Sequence, residues 1–336
     1  MAKIKEKELS TDDKLKLARR NTVEIINEDI FFDLIKIGKK PVIYCGYETS
    51  GDIHLGHLVS MTKLLDLQKA GFEIKILFAD WHTYLNQKGD WKFINEQTKK
   101  WEKGFIAAGL NKTKFIKGSN IQRNLDYIDD VFKLALMNTL SRGLRSMQTV
   151  ARDIENAKIS QVIYPLMQIV DFKYLKVDGA LGGIEQRKIH MLALESLKDI
   201  NYKNQLGKNI PFLIHHELIP SLRGPSQGKM SSSIKESMIS ISDNEKEIKD
   251  KINKAYCPEG EIKENPVLSI IKLVIFPRYD KFIISRPEKF GGNLEFSDYS
   301  SLEKTFKEKK IHPLDLKNSC SKYLSEICGE IKKNFR

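Results

Sequence analysis

Little in this chain of 336 residues suggests export or a membrane. There are only four cysteines, at positions 45, 257, 320 and 328, and no two form a C-x-x-C pair. Neither zinc nor a structural disulfide is expected, and reduced thiols are the default for a cytosolic protein. No apolar run approaches the ~20 residues of a membrane-spanning helix; the stretch 270–276 is interrupted by Lys272. The opening Met1-Ala2-Lys3-Ile4-Lys5 is charged and has no apolar signal core, so a cytoplasmic location is expected. Internal repeats and low-complexity tracts are missing too. With 41% apolar residues, the chain reads as globular and long enough for two domains, each with its own core. Acidic residues are outnumbered: the net charge is +12 and the pI about 9.2. That balance calls for an anionic partner, nucleic acid first and a membrane surface second.

The stretch that organises the chain is Tyr44-Cys45-Gly46-Tyr47-Glu48-Thr49-Ser50-Gly51-Asp52-Ile53-His54-Leu55-Gly56-His57. Pro41 to Tyr44 reads as a short buried strand. Leu58, Met61, Leu64, Leu65 and Leu67 follow at helical spacing until Ala70-Gly71, a natural stop. Phe72 to Ala79 then forms a second strand. A strand–helix–strand unit with a glycine-bearing turn after its first strand places a ligand site at the carboxyl end of that strand. Backbone N–H groups at the helix start suit phosphate, and His54 and His57, three apart, share one face of the first turn. The glycine spacing does not fit G-x-G-x-x-G, so a dinucleotide fingerprint is disfavoured. Two histidines could bind metal, but no third ligand has matching local spacing; a helix start with surface histidines is the plainer alternative.

A second stretch is Gly228-Lys229-Met230-Ser231-Ser232-Ser233, within the loop that begins Arg223-Gly224-Pro225-Ser226-Gln227. It fails the phosphate-loop pattern G-x-x-x-x-G-K-[ST], because only three residues separate Gly224 from Gly228 and Met230 stands where Ser or Thr is needed. Alone, it reads as a polar linker.

Together, in this order and at this separation, the two stretches resemble the paired signatures of class I aminoacyl-tRNA synthetases. Two further runs, 164–171 (YPLMQIVD) and 182–191 (GGIEQRKIHM), look like tyrosyl-tRNA synthetases of the archaeal and eukaryotic type, and the likeness extends from about Arg20 to Asn318. The resemblance implies an α/β fold: a Rossmann-like parallel-sheet catalytic domain over residues 1–240, with a helical insertion at about 108–160. A mostly α-helical anticodon-binding domain over 241–336 would follow, the composition shifting near 235–260. It also implies ATP with Mg2+, L-tyrosine and tRNA(Tyr) as partners, a homodimer and no membrane. Such enzymes join the amino acid to the 3′ end of tRNA through an adenylate. The carboxylate nucleophile is already ionised, so positioning and charge stabilisation are needed and a dedicated base is not.

On that resemblance His54 and His57 hydrogen-bond the transferring phosphates, and Gly46 and Gly56 make room for the nucleotide. Lys229, beside Ser231 and Ser232, supplies a cation to the departing pyrophosphate, and Met230 lies against ATP. Gly183 and Glu185 meet the ATP ribose, Glu185 standing where many members have Asp. Tyr164, Gln168 and Gln186 hold the ammonium end of tyrosine, Glu48 and His82 line the pocket, and Tyr44 and Asp171 meet the phenol hydroxyl. Without it, Tyr44 reads as a packed strand residue and Asp171 as a helix surface charge. For tRNA, Phe290 matches a platform for the first anticodon base. Asp315, beside His312, matches the carboxylate reading that base, and Arg187 aligns with the residue facing the first acceptor pair. Thr49 replaces a frequent Pro, Ile234 follows the serines where Lys or Ala is commoner, and 201–209 looks like a small insertion.

Elsewhere Ser10-Thr11-Asp12-Asp13 predicts a helix start, 31–35 a packing helix, 91–110 a helix and 111–118 a strand. One helix is expected to carry Ile128, Val131, Phe132, Ala135, Leu136, Leu140, Leu144 and Met147. Its wide apolar stripe is either a core face or, by resemblance, a dimer interface that also meets the acceptor end. Ser242-Asp243-x-Glu245 and Ser300-x-x-Glu303 predict two more helix starts, and a final helix follows His312-Pro313. Two competing functions stay open: a small-molecule nucleotidyltransferase, separable by tRNA binding, and a catalytically silent tRNA-binding relative, separable by pyrophosphate exchange.

Overall fold

Ser10 starts the first helix as its sequence predicts: its hydroxyl accepts from the Asp13 N–H, and α1 runs Thr11–Arg19. The computed structural model describes residues 9–148, 156, 158–225 and 238–335. It divides the chain into two units: Met1–Ser50, Lys63–Lys99 and Lys112–His216, and then Gly51–Thr62, Lys100–Asn111 and Glu217–Arg336. In chain order the first stretch continues with β1 (Thr22–Ile26), α2 (Glu28–Lys36), β2 (Val42–Tyr47), α3 (Leu55–Lys69) and β3 (Glu73–Phe78). Then come α4 (Asp80–Leu85), α5 (Trp91–Ala107), β4 (Lys114–Lys117), α6 (Leu125–Met137), α7 (Leu140–Met147) and α8 (Ile159–Leu175). Finally β5 (Gly179–Gly183), α9 (Arg187–Ser196) and β6 (Phe212–His216) complete it.

Among the described residues six strands form one sheet in the order β1-β6-β5-β2-β3-β4. All neighbours are parallel except β1, which runs antiparallel to β6. This is the expected α/β parallel-sheet architecture, with an edge strand that the sequence reading did not foresee. The chain leaves β2 towards β3 and β4 on one side, and β5 returns to the other side of β2. Connections therefore diverge between β2 and β5, the switch point at which open α/β sheets bind ligands beyond the carboxyl ends of their strands. The core of this unit packs Tyr44 and Leu77 of the sheet against Tyr127, Val131 and Leu134 of α6 and the buried side of α8. Lys63 is an unusual member: it is buried, and its ammonium donates to the carbonyls of Leu17, Ala18 and Arg20 at 2.8, 2.6 and 2.8 Å. It caps the C-terminus of α1 with a cation, and burial pulls its pKa down to about 7.

The helices expected at about 108–160 differ from the sequence reading. The predicted single helix is two, because Asn138 and Thr139 adopt extended dihedrals between α6 and α7. Only part of the stripe is core: Val131 and Met147 are buried, while Phe132, Leu136 and Leu140 are 61%, 89% and 63% exposed.

The second unit is mostly helical, with α10 (Glu245–Lys254), α11 (Pro266–Ile270), α12 (Tyr299–Lys307) and α13 (Pro313–Asn334). A hairpin of β7 (Phe282–Ile284) and β8 (Leu294–Phe296) completes it. Helix α11 continues into a π-helical turn at Ile271–Ile275. Two predicted helix starts are shifted. Asn244, in a reciprocal capping box with Glu247, begins α10 in place of Ser242-Asp243. Asp298 begins α12 in place of Ser300, and Glu303 instead accepts from the Tyr299 hydroxyl. A short free side-chain acceptor directly before the helix outcompetes the more distant Ser in both cases. His312 caps α13, its Nδ1 accepting from the Leu314 N–H, with Pro313 at the first helical position.

Candidate functional site

Gly46 lies exposed near the carboxyl end of β2, and Gly183 closes its neighbour β5, so both flank the switch point. One strand residue earlier, Gly182 cannot be replaced without displacement: a Cβ there would stand 2.9 Å from the Gln186 side chain and 3.1 Å from the His190 ring. Gln186 and Glu185 form the 3-10 turn leading into α9.

The first unit brings a set of predicted residues together. Tyr164, Gln168 and Asp171 recur at helical spacing on one face of α8. Tyr44 reaches that helix from β2: its hydroxyl donates to the Gln168 carbonyl at 3.3 Å, and its ring meets Phe172 edge-on at 5.1 Å. The Gln168 amide donates to Gln186 Oε1 at 3.3 Å. His82, from α4, meets the Tyr164 ring edge-on at 4.5 Å. Glu48 accepts from Asn86 at 3.0 Å and also from the Lys88 ammonium.

Asp171 holds the most distinctive position. It is 1% exposed. Its Oδ1 accepts from Gln122 Nε2 at 2.9 Å, and the Tyr127 hydroxyl lies 2.9 Å away. Its Oδ2 is buried and finds no hydrogen-bond partner among the described residues, 3.9 Å from His82 Nε2. That contact is not an ion pair, because burial pulls the His82 pKa down to about 4. Burial pushes the Asp171 carboxyl up to about 7; Gln122 and Tyr127 oppose the rise, and the Asp80 charge adds to it. Tyr44 and Tyr164 are likewise held well above the usual phenol range by burial, so both stay protonated donors. An unpaired buried acceptor among neutral donors is a site shaped for a ligand hydroxyl or N–H. Gln122 and Tyr127 were missed by sequence reasoning. A Tyr on the buried stripe of α6 needs a partner for its hydroxyl, which is the one signal available for it; Gln122 carries no such signal.

The second unit holds the histidine turn. Ile53–Leu55 pairs with Ile239–Ile241 as an antiparallel bridge: the Leu55 N–H donates to the Ile239 carbonyl at 2.8 Å and the Ile241 N–H to that of Ile53 at 3.0 Å. The residues just after the lysine-bearing stretch in sequence are thereby fixed to the segment entering the histidines. His54 Nδ1 accepts from the Gly56 N–H at 3.1 Å, and His57 Nδ1 accepts from the His54 N–H at 3.2 Å. With both Nδ1 atoms accepting, each neutral ring carries its proton on Nε2 as a donor. Burial pulls the His54 pKa down to about 4, so it donates as an uncharged imidazole. The two rings lie 3.8 Å apart, and His57 meets Trp101 at 4.6 Å. A Cβ at Gly56 would stand 2.9 Å from the His54 ring, so this glycine also makes room for the histidine itself. Lys229, Met230, Ser231 and Ser232 lie outside the described residues.

Further along this unit Phe290, 62% exposed, ends a 3-10 turn with Lys289 5.0 Å over its ring. Arg286 ties that loop to the segment before α13, donating to the Gly292 carbonyl at 3.0 Å and the Lys310 carbonyl at 3.2 Å. Asp315 sits in the first turn of α13. Arg187 lies elsewhere, in the first unit, paired with Glu24 at 2.6 Å.

Residues 36–328 match the family model described as tRNA synthetases class I (W and Y). The tyrosine–tRNA ligase of Methanosarcina mazei is 46% identical over 96% of this chain and 99% of its own length. That of Archaeoglobus fulgidus is 46% identical over 96% and 98%. The crystal structure of the Archaeoglobus fulgidus tyrosyl-tRNA synthetase complexed with L-tyrosine superimposes with a TM-score of 0.92, 45% identity, and coverage of 97% of this chain and 100% of that one. A tryptophanyl-tRNA synthetase from Aeropyrum pernix, 17% identical with a TM-score of 0.73, shares the fold. With the sheet, the switch-point glycines and the histidine turn in place, this chain belongs to the class I tRNA synthetase family of the tryptophan and tyrosine enzymes.

Proposed function

We propose that this protein is a tyrosine–tRNA ligase, which activates L-tyrosine with ATP and transfers it to the 3′ end of tRNA(Tyr). The observation that carries the reading is the buried Oδ2 of Asp171, without a hydrogen-bond partner among the described residues, beside Tyr44, Tyr164 and Gln168. A phenol hydroxyl donates to that oxygen. A side chain without it leaves the acceptor unpaired. Discrimination of ~10⁴–10⁵-fold follows from such a site, and the tyrosine enzymes of this class acting against phenylalanine are themselves the reference case for that magnitude. The relatives named tyrosine–tRNA ligase, 46% identical over 96% of this chain, support tyrosine over tryptophan.

Glu48, Gln168 and Gln186 then serve the ammonium end, with Tyr164 and His82 as walls. The tyrosine carboxylate attacks the α-phosphate of ATP and magnesium pyrophosphate leaves; magnesium arrives with ATP as part of the substrate. His54 and His57 donate Nε2–H bonds that strengthen as charge moves onto phosphoryl oxygens, which is differential stabilisation of the transition state. Being neutral, His54 keeps this role across ordinary pH. Lys229 supplies the cation for the leaving group, with Ser231, Ser232 and Met230 beside it. Gly46, Gly183 and Glu185 accommodate the nucleoside. A ribose hydroxyl of the terminal adenosine next attacks the adenylate. Phe290, His312 and Asp315 read the anticodon, and Arg187 leaves Glu24 for the first acceptor pair.

The domain division follows the same reading, 1–240 catalytic and 241–336 anticodon-binding. So does a homodimer, for which the exposed Leu125, Phe132 and Leu136 on one face of α6 are the interface. No helix among the described residues is long and apolar enough to cross a membrane, and the scarce, unpaired cysteines fit a cytoplasmic enzyme. ATP–pyrophosphate exchange with tyrosine and with tryptophan, followed by tRNA charging, tests the proposal. Exchange driven by tryptophan and not by tyrosine overturns it.

A further inference from the structure

Helix α4 has two working sides. His82 faces inward against Tyr164; Tyr84 is exposed, and Trp81, half-buried against the core, joins it and Trp91 at the start of α5. Trp81 and Trp91 meet edge-on at 4.8 Å, Trp81 and Tyr84 at 5.9 Å, and Tyr84 stacks on Trp91 at 5.0 Å and 24°. The Arg123 guanidinium lies 5.7 and 5.6 Å from the Trp81 and Trp91 rings. Tyr84 is 42% exposed and Arg123 is exposed as well. Two of the chain's three tryptophans, both half-buried, therefore back an exposed tyrosine and an exposed cation, and no step of the proposed reaction uses them.

The cluster is not needed to hold the loop between the two helices. Asn86 and Lys88 already bind Glu48, their N–H groups donate to His82 and Thr83, and Asp90 accepts from the Phe93 N–H. Flat rings joined to an arginine are instead what single-stranded nucleic acids stack upon, because every base presents a π-face whatever its sequence. The placement fits as well. A base on the outer face of Tyr84 lies about one helix diameter, ~10–12 Å, from the pocket wall at His82. The last unpaired nucleotides of the acceptor strand must come that near for a terminal ribose hydroxyl to reach an adenylate.

We propose that Trp81, Tyr84, Trp91 and Arg123 form a stacking platform for the unpaired 3′ end of the tRNA acceptor strand, Tyr84 taking a base and Arg123 a phosphate. This rests on the tRNA-charging function proposed above. The full-length protein is titrated with its tRNA, intact and lacking the unpaired 3′ nucleotides, by tryptophan fluorescence quenching, and tyrosine-dependent exchange is measured alongside. Loss of one stacked base costs about 5- to 150-fold in affinity. Tyr84→Ala is therefore expected to weaken intact tRNA within that range, with truncated tRNA and exchange unchanged. Tyr84→Phe restores binding, since stacking needs no hydroxyl, and Arg123→Gln lowers the salt dependence by about one phosphate contact. Equal losses for both tRNAs, no loss for either, or a matching fall in exchange each overturn the platform. Failure of the parent protein to charge any tRNA overturns the proposed function instead.

Discussion

Replacing Asp171 by Asn separates what the residue does for the substrate from what it costs the fold. In the parent, burial raises this carboxyl from 3.8 to about 7. The folded state therefore keeps a proton that the unfolded chain has already lost, across roughly pH 4 to 7. Stability from this site is full below pH 4 and falls as pH rises. At about 1.4 kcal/mol per pH unit, roughly three units make a loss of about 4 kcal/mol by pH 7, flat above that. Asn carries no charge and pays nothing. Its carbonyl oxygen can keep the place of Oδ1, accepting from Gln122 and Tyr127. The variant is thus expected to be more stable than the parent at pH 8 by up to about 4 kcal/mol. For a chain of this size that is a rise in Tm of up to about 6 °C. The advantage should shrink towards zero at pH 4. Catalysis moves the other way. The Asn amide nitrogen takes the Oδ2 position, so the phenol of tyrosine meets a donor where it had an acceptor. Loss of one hydrogen bond to a charged group, about 1.5–3 kcal/mol, lowers kcat/KM for tyrosine about 10- to 150-fold and leaves phenylalanine little changed. Thermal unfolding at pH 4, 6 and 8 with exchange assays on both amino acids reads both effects. A variant no more stable than the parent at pH 8, or equally advantaged at every pH, refutes the reasoning about the buried carboxyl.

Lys229→Ala should slow tyrosyl-adenylate formation in stopped-flow measurements far more than it weakens tyrosine binding; equal effects discredit its role on the leaving group. Gly56→Ala drives a Cβ into the His54 ring, so adenylate formation should fall while tyrosine affinity, measured by calorimetry, holds. Asp315→Ala is expected to raise KM for tRNA about 5- to 150-fold, the worth of one base contact, without altering exchange; loss of both activities points to misfolding. Leu136→Asp should convert a dimer to a monomer in sedimentation at micromolar concentration, and a parent that already sediments as a monomer removes the interface.

The β2–α3–β3 unit was readable because three signals agree there: a β-branched strand, a glycine-bearing turn and helical leucines. The edge strand β1 was not, since Thr22–Ile26 shows no clean alternation and is half-buried apart from the exposed Val23. The break between α6 and α7 has only Asn138-Thr139 to announce it, and a continuous apolar stripe masks that signal. Helix starts at Asn244 and Asp298 were misplaced by two residues where several capping candidates crowd together. Within the pocket, Tyr44, Tyr164, Gln168 and Asp171 came from resemblance to a family, and the structure adds what no run of letters holds. Gln122 and Tyr127 lie 49 and 44 residues from the carboxylate they bind, so only the folded chain puts them beside it. The proton positions on His54 and His57 are likewise consequences of backbone N–H groups within two or three residues.

The bridge joining Ser240 to His54 spans 186 residues, which gives the enzyme an assembly timetable. Closing so long a loop costs about 4–5 kcal/mol of chain entropy before any bond rewards it. At ordinary translation speeds of about 5–20 residues per second, the ribosome needs roughly 10–40 s to travel from one partner to the other. The sheet and core around Asp171 are complete once β6 ends at His216, so that unit can take shape before Ser240 is made. The histidine turn is finished last, so on the proposed roles the amino-acid side of the protein is built before the nucleotide side.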